Sequence, residues 1–232
     1  MNKDLLKLYP HDLWENFANL CDCPHPSKHE DAAIKWMKQW AKDHKVKVEQ
    51  DKTGNLLFTI PATKGMEKLT PVILQGHTDM VPQADDPKFD FLKSPIEPII
   101  DKGWVRANRT TLGADNGIGV CAALACVTTS GVKHGPMEIL VTVDEETGMT
   151  GAFGLKKGFV KGKILISFGF PQNLSTAISA RKQSRASKRK YIQRGLPLSL
   201  SVTLLAMFLV LALITSTLSP EALAIFLSSL SS

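Results

Sequence analysis

The sequence has few cysteines, and their placement excludes a disulfide scaffold. The 232 residues contain four, at positions 21, 23, 121 and 126, without paired CxxC spacing. Cys121 and Cys126 lie in an apolar segment, so we expect buried free thiols. The N-terminal stretch MNKDLLKLYPHDLWENF is too charged for the apolar region of a signal peptide. The expected location is therefore the cytoplasm.

Acidic residues are scarce in the last part of the chain. Residues 1–166 carry 21 basic and 21 acidic side chains, whereas residues 167–232 carry seven basic side chains and one acidic side chain, Glu221. The net charge of +6 therefore belongs entirely to residues 167–232. Because the preceding part is balanced, the sequence pI of about 9.1 does not indicate a nucleic-acid partner.

The glycine-rich stretch GADNGIG, residues 113–119, lacks the Gly-Lys-Ser/Thr ending of a phosphate-binding loop. Its aspartate would also repel a phosphate. We therefore do not expect a nucleotide site here.

The pattern of apolar residues predicts alternating helices and strands. HDLWENFANLCD and SKHEDAAIKWMKQWAKDH have helical spacing, and Ser27 with Glu30 forms a candidate capping box for the second helix. A hairpin is predicted for VKVEQ and NLLFTI. Buried strands are predicted for PVILQGH, MEILVTV and KILI. The segment NGIGVCAALACVTT is too long and its side chains are too small for a strand. The prediction is an α/β fold with a mixed β-sheet flanked by helices.

Three polar clusters fall where predicted strands end or a helix begins. They are His77-Thr78-Asp79, the loop 113–117 around Asp115, and Asp144-Glu145-Glu146. Each has an ordinary structural interpretation: a strand-end histidine is commonly half-buried, Asp115 could cap its helix, and adjacent acids are commonly solvated.

Together, however, the clusters favour a metal site. If the strand continues to Asp79, residues 77 and 79 share one face, so the carboxylate can orient the imidazole. One histidine and several carboxylates at the ends of neighbouring strands are typical ligands of a divalent metal such as zinc. Asp79 would then fix the tautomer of His77, which would bind the metal.

Three motifs carry a family resemblance. HTDMVP, RTTLGADNGIG and DEETGMTGAFGL, in this order and at these separations, resemble the di-zinc exopeptidases of the aminoacylase and carboxypeptidase type, and within them the aminoacyl-histidine dipeptidase branch. The resemblance covers about residues 6–166. It implies a zinc-dependent hydrolase whose partner is a small dipeptide substrate, with no indication of oligomeric state.

The resemblance also implies a role for each site residue. His77 would bind one zinc, Asp115 would bridge both zincs, and Glu146 would bind the second. Glu145 would be the general base, and Asp79 the partner of His77. This division suits hydrolysis, because zinc acidifies water and Glu145 can carry its proton to the leaving amine.

Parts of the family pattern are not found in this sequence. The family has a third protein ligand for each zinc: an acid after the strand that corresponds to KILI, and a histidine much later in the chain. Here the next acid after Glu146 is Glu221, and no histidine follows His134. The inserted lid domain is absent as well. We therefore expect two zinc sites with two protein ligands each, and impaired activity; the alternative is a catalytically inactive, truncated remnant.

The sequence after Ile166 does not resemble the family. Residues 1–166 would form a partial catalytic domain, 167–195 a basic, serine-rich linker, and 196–232 an apolar tail. The uncharged stretch 196–214 is long enough to span a bilayer, which would make the protein membrane-anchored. It could also be a buried helix of an unfamiliar lid. The loss of acids and of family likeness at one point favours a third interpretation, out-of-frame translation.

Overall fold

The computed structural model describes residues 4–168 and 196–197. After a 3-10 turn at Leu5–Lys7, the helices are α1 His11–Cys21, α2 Asp31–Asp43, α3 Ala114–Thr128, α4 Glu145–Gly148 and α5 Thr150–Gly154. The strands are β1 Lys47–Gln50, β2 Leu56–Ile60, β3 Val72–His77, β4 Pro98–Asp101, β5 Trp104–Ala107, β6 Met137–Thr142, β7 Ile164–Ser167 and β8 Leu196–Pro197.

The main sheet has five strands in the order β1-β2-β6-β3-β7. β3 is parallel to both β6 and β7, whereas β1 and β2 form an antiparallel hairpin that joins the sheet through β6. A second, three-stranded sheet has the order β4-β5-β8. The predicted α/β fold with a mixed sheet is therefore confirmed, and the described residues include no inserted lid domain.

The core lies between the main sheet and the first helices. α1 and α2 bury apolar residues three and four positions apart, as the sequence predicts, and α1 packs on α3, which in turn packs on β3. Alternate strand residues face this core, for example Leu56 and Phe58, while Leu57 joins a small cluster on the opposite face of the sheet. The buried thiols predicted at Cys121 and Cys126 are present in α3.

The hairpin of β4 and β5 was not among the predicted elements. Its strands have four residues each, and most of their side chains are exposed or half-buried. Neither strand therefore shows the continuous apolar run by which buried strands are recognised in a sequence.

The capping box predicted for α2 is wrong. The helix begins at Asp31, its N-cap residue is Glu30, and no side chain caps it. Ser27 lies too far from the helix to act as its cap. Its hydroxyl and the Glu30 carboxylate contact other parts of the chain.

Within residues 4–168 and 196–197, no helix combines the length and apolar character needed to cross a bilayer. Apart from Leu196 and Pro197, the segment 196–214 lies outside the described residues. The predicted linker 167–195 also lies outside them after Phe168.

Candidate metal centre

Strand register brings two of the polar clusters to the same edge of the sheet. β3 and β6 are parallel neighbours in which His77 pairs with Thr142, and the Thr78 amide donates to the Thr142 carbonyl at 2.9 Å. The chain segments that follow both strands therefore leave the sheet side by side. This is the edge at which binding sites of α/β sheets are commonly built.

His77 is buried and faces carboxylates with both ring nitrogens. Nδ1 lies 3.2 Å from Oδ1 of Asp79, and Nε2 lies 3.4 Å from Oδ1 of Asp115 and 3.9 Å from Oε2 of Glu145. When Nδ1 carries the proton, it can donate to the backbone carbonyl of Asp79 at 3.1 Å as well as to the Asp79 carboxylate, and the lone pair of Nε2 then points to the other acids. That tautomer leaves Nε2 available to a metal.

β3 ends at His77, so the condition that the strand continues to Asp79 is not met. The two side chains still meet, because the loop after the strand returns the Asp79 carboxylate to the imidazole.

Asp115 reaches His77 because α3 begins close against β3. A Cβ atom at Gly76 would lie 2.4 Å from Oδ1 of Asn116, so only glycine allows this approach. Asp115 itself has non-helical backbone angles, and the N-cap of α3 is Gly113. The capping alternative for Asp115 is therefore not what the structure shows.

Glu145 and Glu146 complete the cluster from the start of α4. One ligand atom from each of His77, Glu145 and Glu146 lies within 4.8 Å of the others, close enough to hold one metal ion. Asp115 borders this group through its contact with His77. All five predicted site residues thus lie at one place, while the individual roles given to them remain predictions.

Asp79 links His77, in the first half of this cluster, to Glu145 and Glu146, in the second half. Its buried carboxylate accepts hydrogen bonds from the backbone N–H of Glu145 at 2.9 Å and of Glu146 at 3.1 Å, and from the Ser27 hydroxyl at 2.7 Å. Burial alone would raise the pKa of Asp79, but the hydrogen bonds from His77 and from the Glu145 N–H lower it to about 2. Asp79 is therefore held in its charged form.

The cluster has an excess of negative charge. Burial alone would lower the pKa of His77, yet its hydrogen bonds to Asp115 and Asp79 raise it to about 10. Burial raises the pKa of Glu146 to about 7, and repulsion by neighbouring carboxylates adds to this effect. Burial also raises the pKa of Glu145. Protons that are retained because of this negative charge can be exchanged for a divalent cation, so this donor set fits a divalent metal ion.

These pKa shifts predict how the metal-free chain responds to pH. A raised folded-state pKa stabilises the fold below the unfolded value, and that stability is lost as pH rises through the folded value. For Glu146 the loss runs from pH 4.5 to about 7, and for His77 from pH 6.5 to about 10. With a chelator present, the urea midpoint should therefore fall steadily from pH 5 to 9.

A His77→Gln variant is the control for this measurement, because the decline above pH 7 should become shallower in it. Saturating zinc should reverse the trend, since protons compete with the metal for the same ligands. A metal-free midpoint that rises across this range would contradict the assignment.

Sequence reasoning missed two residues that contact the cluster. The Ser27 hydroxyl donates to Asp79, and the buried Glu30 carboxylate accepts from the Asp144 N–H at 2.9 Å. Their local spacing indicated a helix cap, whereas their partners are 52 and 114 positions away along the chain. No feature of a single sequence signals such contacts.

Comparison with known proteins gives concordant matches. The sequence model of the peptidase family M20/M25/M40 matches residues 73–182, and so ends beyond Ile166. The cytosol non-specific dipeptidase of Escherichia coli is 50% identical over 165 residues, which are 71% of this chain and 34% of that protein. This chain therefore spans about a third of the length of that relative.

Two solved structures agree with this result. The aminoacylhistidine dipeptidase of Vibrio alginolyticus has a TM-score of 0.68 and 50% identity, covering 70% of this chain and 34% of that one. The aminopeptidase PepT of Bacillus cereus has a TM-score of 0.59 and 26% identity, covering 69% and 43%. The predicted resemblance to aminoacyl-histidine dipeptidases over part of the chain is confirmed.

Proposed function

We propose that this chain is a zinc-dependent hydrolase of small dipeptides. The match of residues 73–182 to the model of the peptidase family M20/M25/M40, and the 50% identity of about 70% of the chain to two dipeptidases, support this proposal. The substrate class follows the names of its relatives, a cytosol non-specific dipeptidase and an aminoacylhistidine dipeptidase. The aminoacyl-histidine type, as in the Vibrio structure, is the substrate we would test first.

One observation carries this proposal. A buried imidazole, His77, lies between the carboxylates of Asp79 and Asp115, with Glu145 and Glu146 next to it. In the proposed assignment, His77, Asp115 and Glu146 would hold two zinc ions, with Asp115 shared by both sites. Bound zinc would supply a Lewis acid that polarises the peptide carbonyl and acidifies water.

The protein groups would then divide the proton transfers. Asp79 keeps the proton of His77 on Nδ1 and so keeps Nε2 directed at the other acids. Glu145 is the proposed general base, which takes a proton from the attacking water and delivers it to the leaving amine. Burial raises its pKa, which brings the carboxylate closer to the range in which it can both accept and release a proton.

Location is part of the same proposal. The Escherichia coli relative is named as a cytosol protein, which supports a cytoplasmic location for this chain. A membrane partner enters only if the stretch 196–214 is a genuine anchor. We propose no nucleic-acid partner, because charge is balanced over residues 1–166.

We predict slow hydrolysis by the chain as given. The donor set contains one histidine and several carboxylates. The family pattern implies a further acid and a further histidine as ligands, but no acid lies between Glu146 and Glu221, and no histidine follows His134. The family resemblance also implies that the lid domain supplies oxyanion donors, which commonly contribute factors of about 10² to 10³ each. Looser metal binding and the lack of these donors would reduce turnover greatly relative to a full-length relative.

The test is the rate of alanyl-histidine hydrolysis with added zinc, measured for the chain, for its His77→Ala variant and for a full-length relative. A slow, zinc-dependent rate that His77→Ala removes supports the proposal. Equal rates in the chain and the variant would favour the alternative of an inactive protein. A rate near that of the full-length relative would show that the predicted impairment is wrong.

A further inference from the structure

The segment 25–30, between α1 and α2, is fixed against the candidate metal centre. The Met80 N–H donates to the His25 carbonyl at 3.1 Å, and the Ser27 N–H donates to the Met80 carbonyl at 3.2 Å. Pro26 and Met80 form an isolated parallel bridge. The segment therefore pairs with the chain directly after Asp79, and the Ser27 and Glu30 side chains are placed by this pairing.

The Ser27 hydroxyl donates to the carboxylate that also holds the two glutamates. Oδ2 of Asp79 accepts both the Ser27 hydroxyl at 2.7 Å and the Glu146 N–H at 3.1 Å, while Oδ1 accepts the Glu145 N–H at 2.9 Å. Removing the hydroxyl would leave this carboxylate free to rotate toward its remaining donors. A rotation of Asp79 would change the direction of both glutamate amides.

Glu30 holds the residue before the glutamates in the same way. Glu30 is 6% exposed, and its carboxylate accepts the Asp144 N–H at 2.9 Å. Asp144 has left-handed backbone angles, φ 51° and ψ 48°, at the sharp turn between β6 and α4. Three consecutive amides, those of residues 144, 145 and 146, are thus held by two buried carboxylates, Glu30 and Asp79.

We propose that Ser27 and Glu30 are positioning residues that set the direction in which Glu145 and Glu146 present their carboxylates to the metal. This inference rests on the proposed metal-dependent function. Glu30 occupies the N-cap position of α2, but neither its side chain nor that of Ser27 makes a capping hydrogen bond, so helix capping does not explain the contacts of these side chains. Groups that orient metal ligands through hydrogen bonds typically change metal affinity about 10- to 100-fold when removed.

The first test compares two serines with matched hydrogen bonds. Ser27 donates to Asp79 at 2.7 Å, and Ser167 donates to Gln75 at 2.7 Å. Ser27→Ala should weaken zinc binding to the full chain, measured by titration calorimetry, roughly 10- to 100-fold. It should also change the visible absorption spectrum of the cobalt-substituted chain, which reports ligand geometry. Ser27→Thr, which restores a hydroxyl, should recover most of the affinity, and Ser167→Ala should keep it.

The second test compares two buried glutamates. Glu30 accepts the Asp144 N–H, and Glu138, at the opposite end of β6, accepts the N–H groups of Lys161 and Gly162 at 2.8 and 2.9 Å. A Gln side chain keeps one acceptor oxygen but loses the negative charge that strengthens these hydrogen bonds, so both Gln variants should lose stability in urea. Only Glu30→Gln should also lose zinc affinity and shift the cobalt spectrum.

The outcomes separate this inference from the function on which it rests. If the wild-type chain binds zinc no more tightly than His77→Ala, the proposed function fails, and the inference fails with it. If the wild-type chain binds zinc and both Ser27→Ala and Glu30→Gln match their controls in affinity and spectrum, only the positioning roles are overturned. Losses confined to Ser27→Ala and Glu30→Gln, with rescue by Ser27→Thr, support the inference.

Discussion

Glu145→Gln is expected to remove zinc-dependent dipeptide hydrolysis while leaving zinc affinity close to that of the wild-type chain, whereas Glu146→Gln is expected to weaken zinc binding itself. The proposed general base contributes about 10²- to 10⁴-fold to the rate, so the first variant should fall to the background rate. Loss of a direct ligand should lower affinity by at least the 10- to 100-fold typical of an orienting group.

The two glutamates form a matched pair, which makes the comparison informative. They are adjacent at the start of α4, and the backbone N–H of each donates to Asp79. Burial and repulsion raise the pKa of Glu146 to about 7, so its carboxylate lies where a cation relieves unfavourable charge. Glutamine keeps the shape of each side chain while removing its charge.

Zinc affinity and turnover should be measured on the same samples. Because slow turnover is predicted for this chain, the affinities alone must already separate the variants. Since His77, Glu145 and Glu146 all lie within reach of one ion, the alternative is that Glu145 binds the metal directly. An equal loss of affinity in the two variants would establish that alternative and remove Glu145 from the role of general base.

Among single substitutions in the candidate metal centre, Asp79→Ala is expected to cause the largest loss in free energy of unfolding. Asp79 is 1% exposed and accepts hydrogen bonds from the Ser27 hydroxyl and from the backbone N–H groups of Glu145 and Glu146, besides its contact with His77. Truncation leaves the two half-buried backbone N–H groups without this acceptor, and leaves the Ser27 hydroxyl only a longer contact of 3.5 Å to the Met80 carbonyl. Removing one partner of a buried charged pair typically destabilises a protein by about 3 to 5 kcal/mol.

The pH dependence of this loss provides a second criterion. The folded-state pKa of Asp79 is lowered to about 2 from 3.8, so its contribution to stability is present above pH 3.8 and is lost as pH falls toward 2. The difference in urea midpoint between the wild-type chain and Asp79→Ala should therefore shrink in that window.

Asp90→Ala is the matched control for Asp79→Ala. Asp90 accepts the Leu92 N–H at 3.0 Å and pairs with Lys93 at 3.1 Å, but its side chain is 42% exposed. A much smaller loss is expected there, because exposed ion pairs contribute little to stability. If Asp79→Ala is no more destabilising than Asp90→Ala, Asp79 does not link the two halves of the cluster.

Most of the elements that build the fold could be predicted from local pattern. The apolar spacing of α1 and α2 and the apolar runs of β3 and β6 reflect which faces are buried. The α3 segment was recognised only as too long and small-sided for a strand. The prediction that KILI is a buried strand is wrong in part, because β7 forms but its residues are exposed or half-buried. The hairpin of β4 and β5 was missed because its exposed strands carry little of that pattern. The capping box at Ser27 and Glu30 was wrong because a short motif is also compatible with contacts to distant residues.

The sequence by itself determined that this protein is an α/β domain with polar clusters at strand ends, and its motifs identified the five residues of the candidate metal centre. These features are local, since strand ends and motif residues can be recognised from their neighbours in the chain. Only the tertiary structure decided how the clusters meet. The parallel register of β3 and β6 places His77 beside the turn at Asp144. Gly76 lets Asp115 approach His77. In the segment 25–30, Ser27 and Glu30 contact residues 52 and 114 positions away along the chain. Contacts at such separations depend on the packing of the whole domain, so no local pattern encodes them.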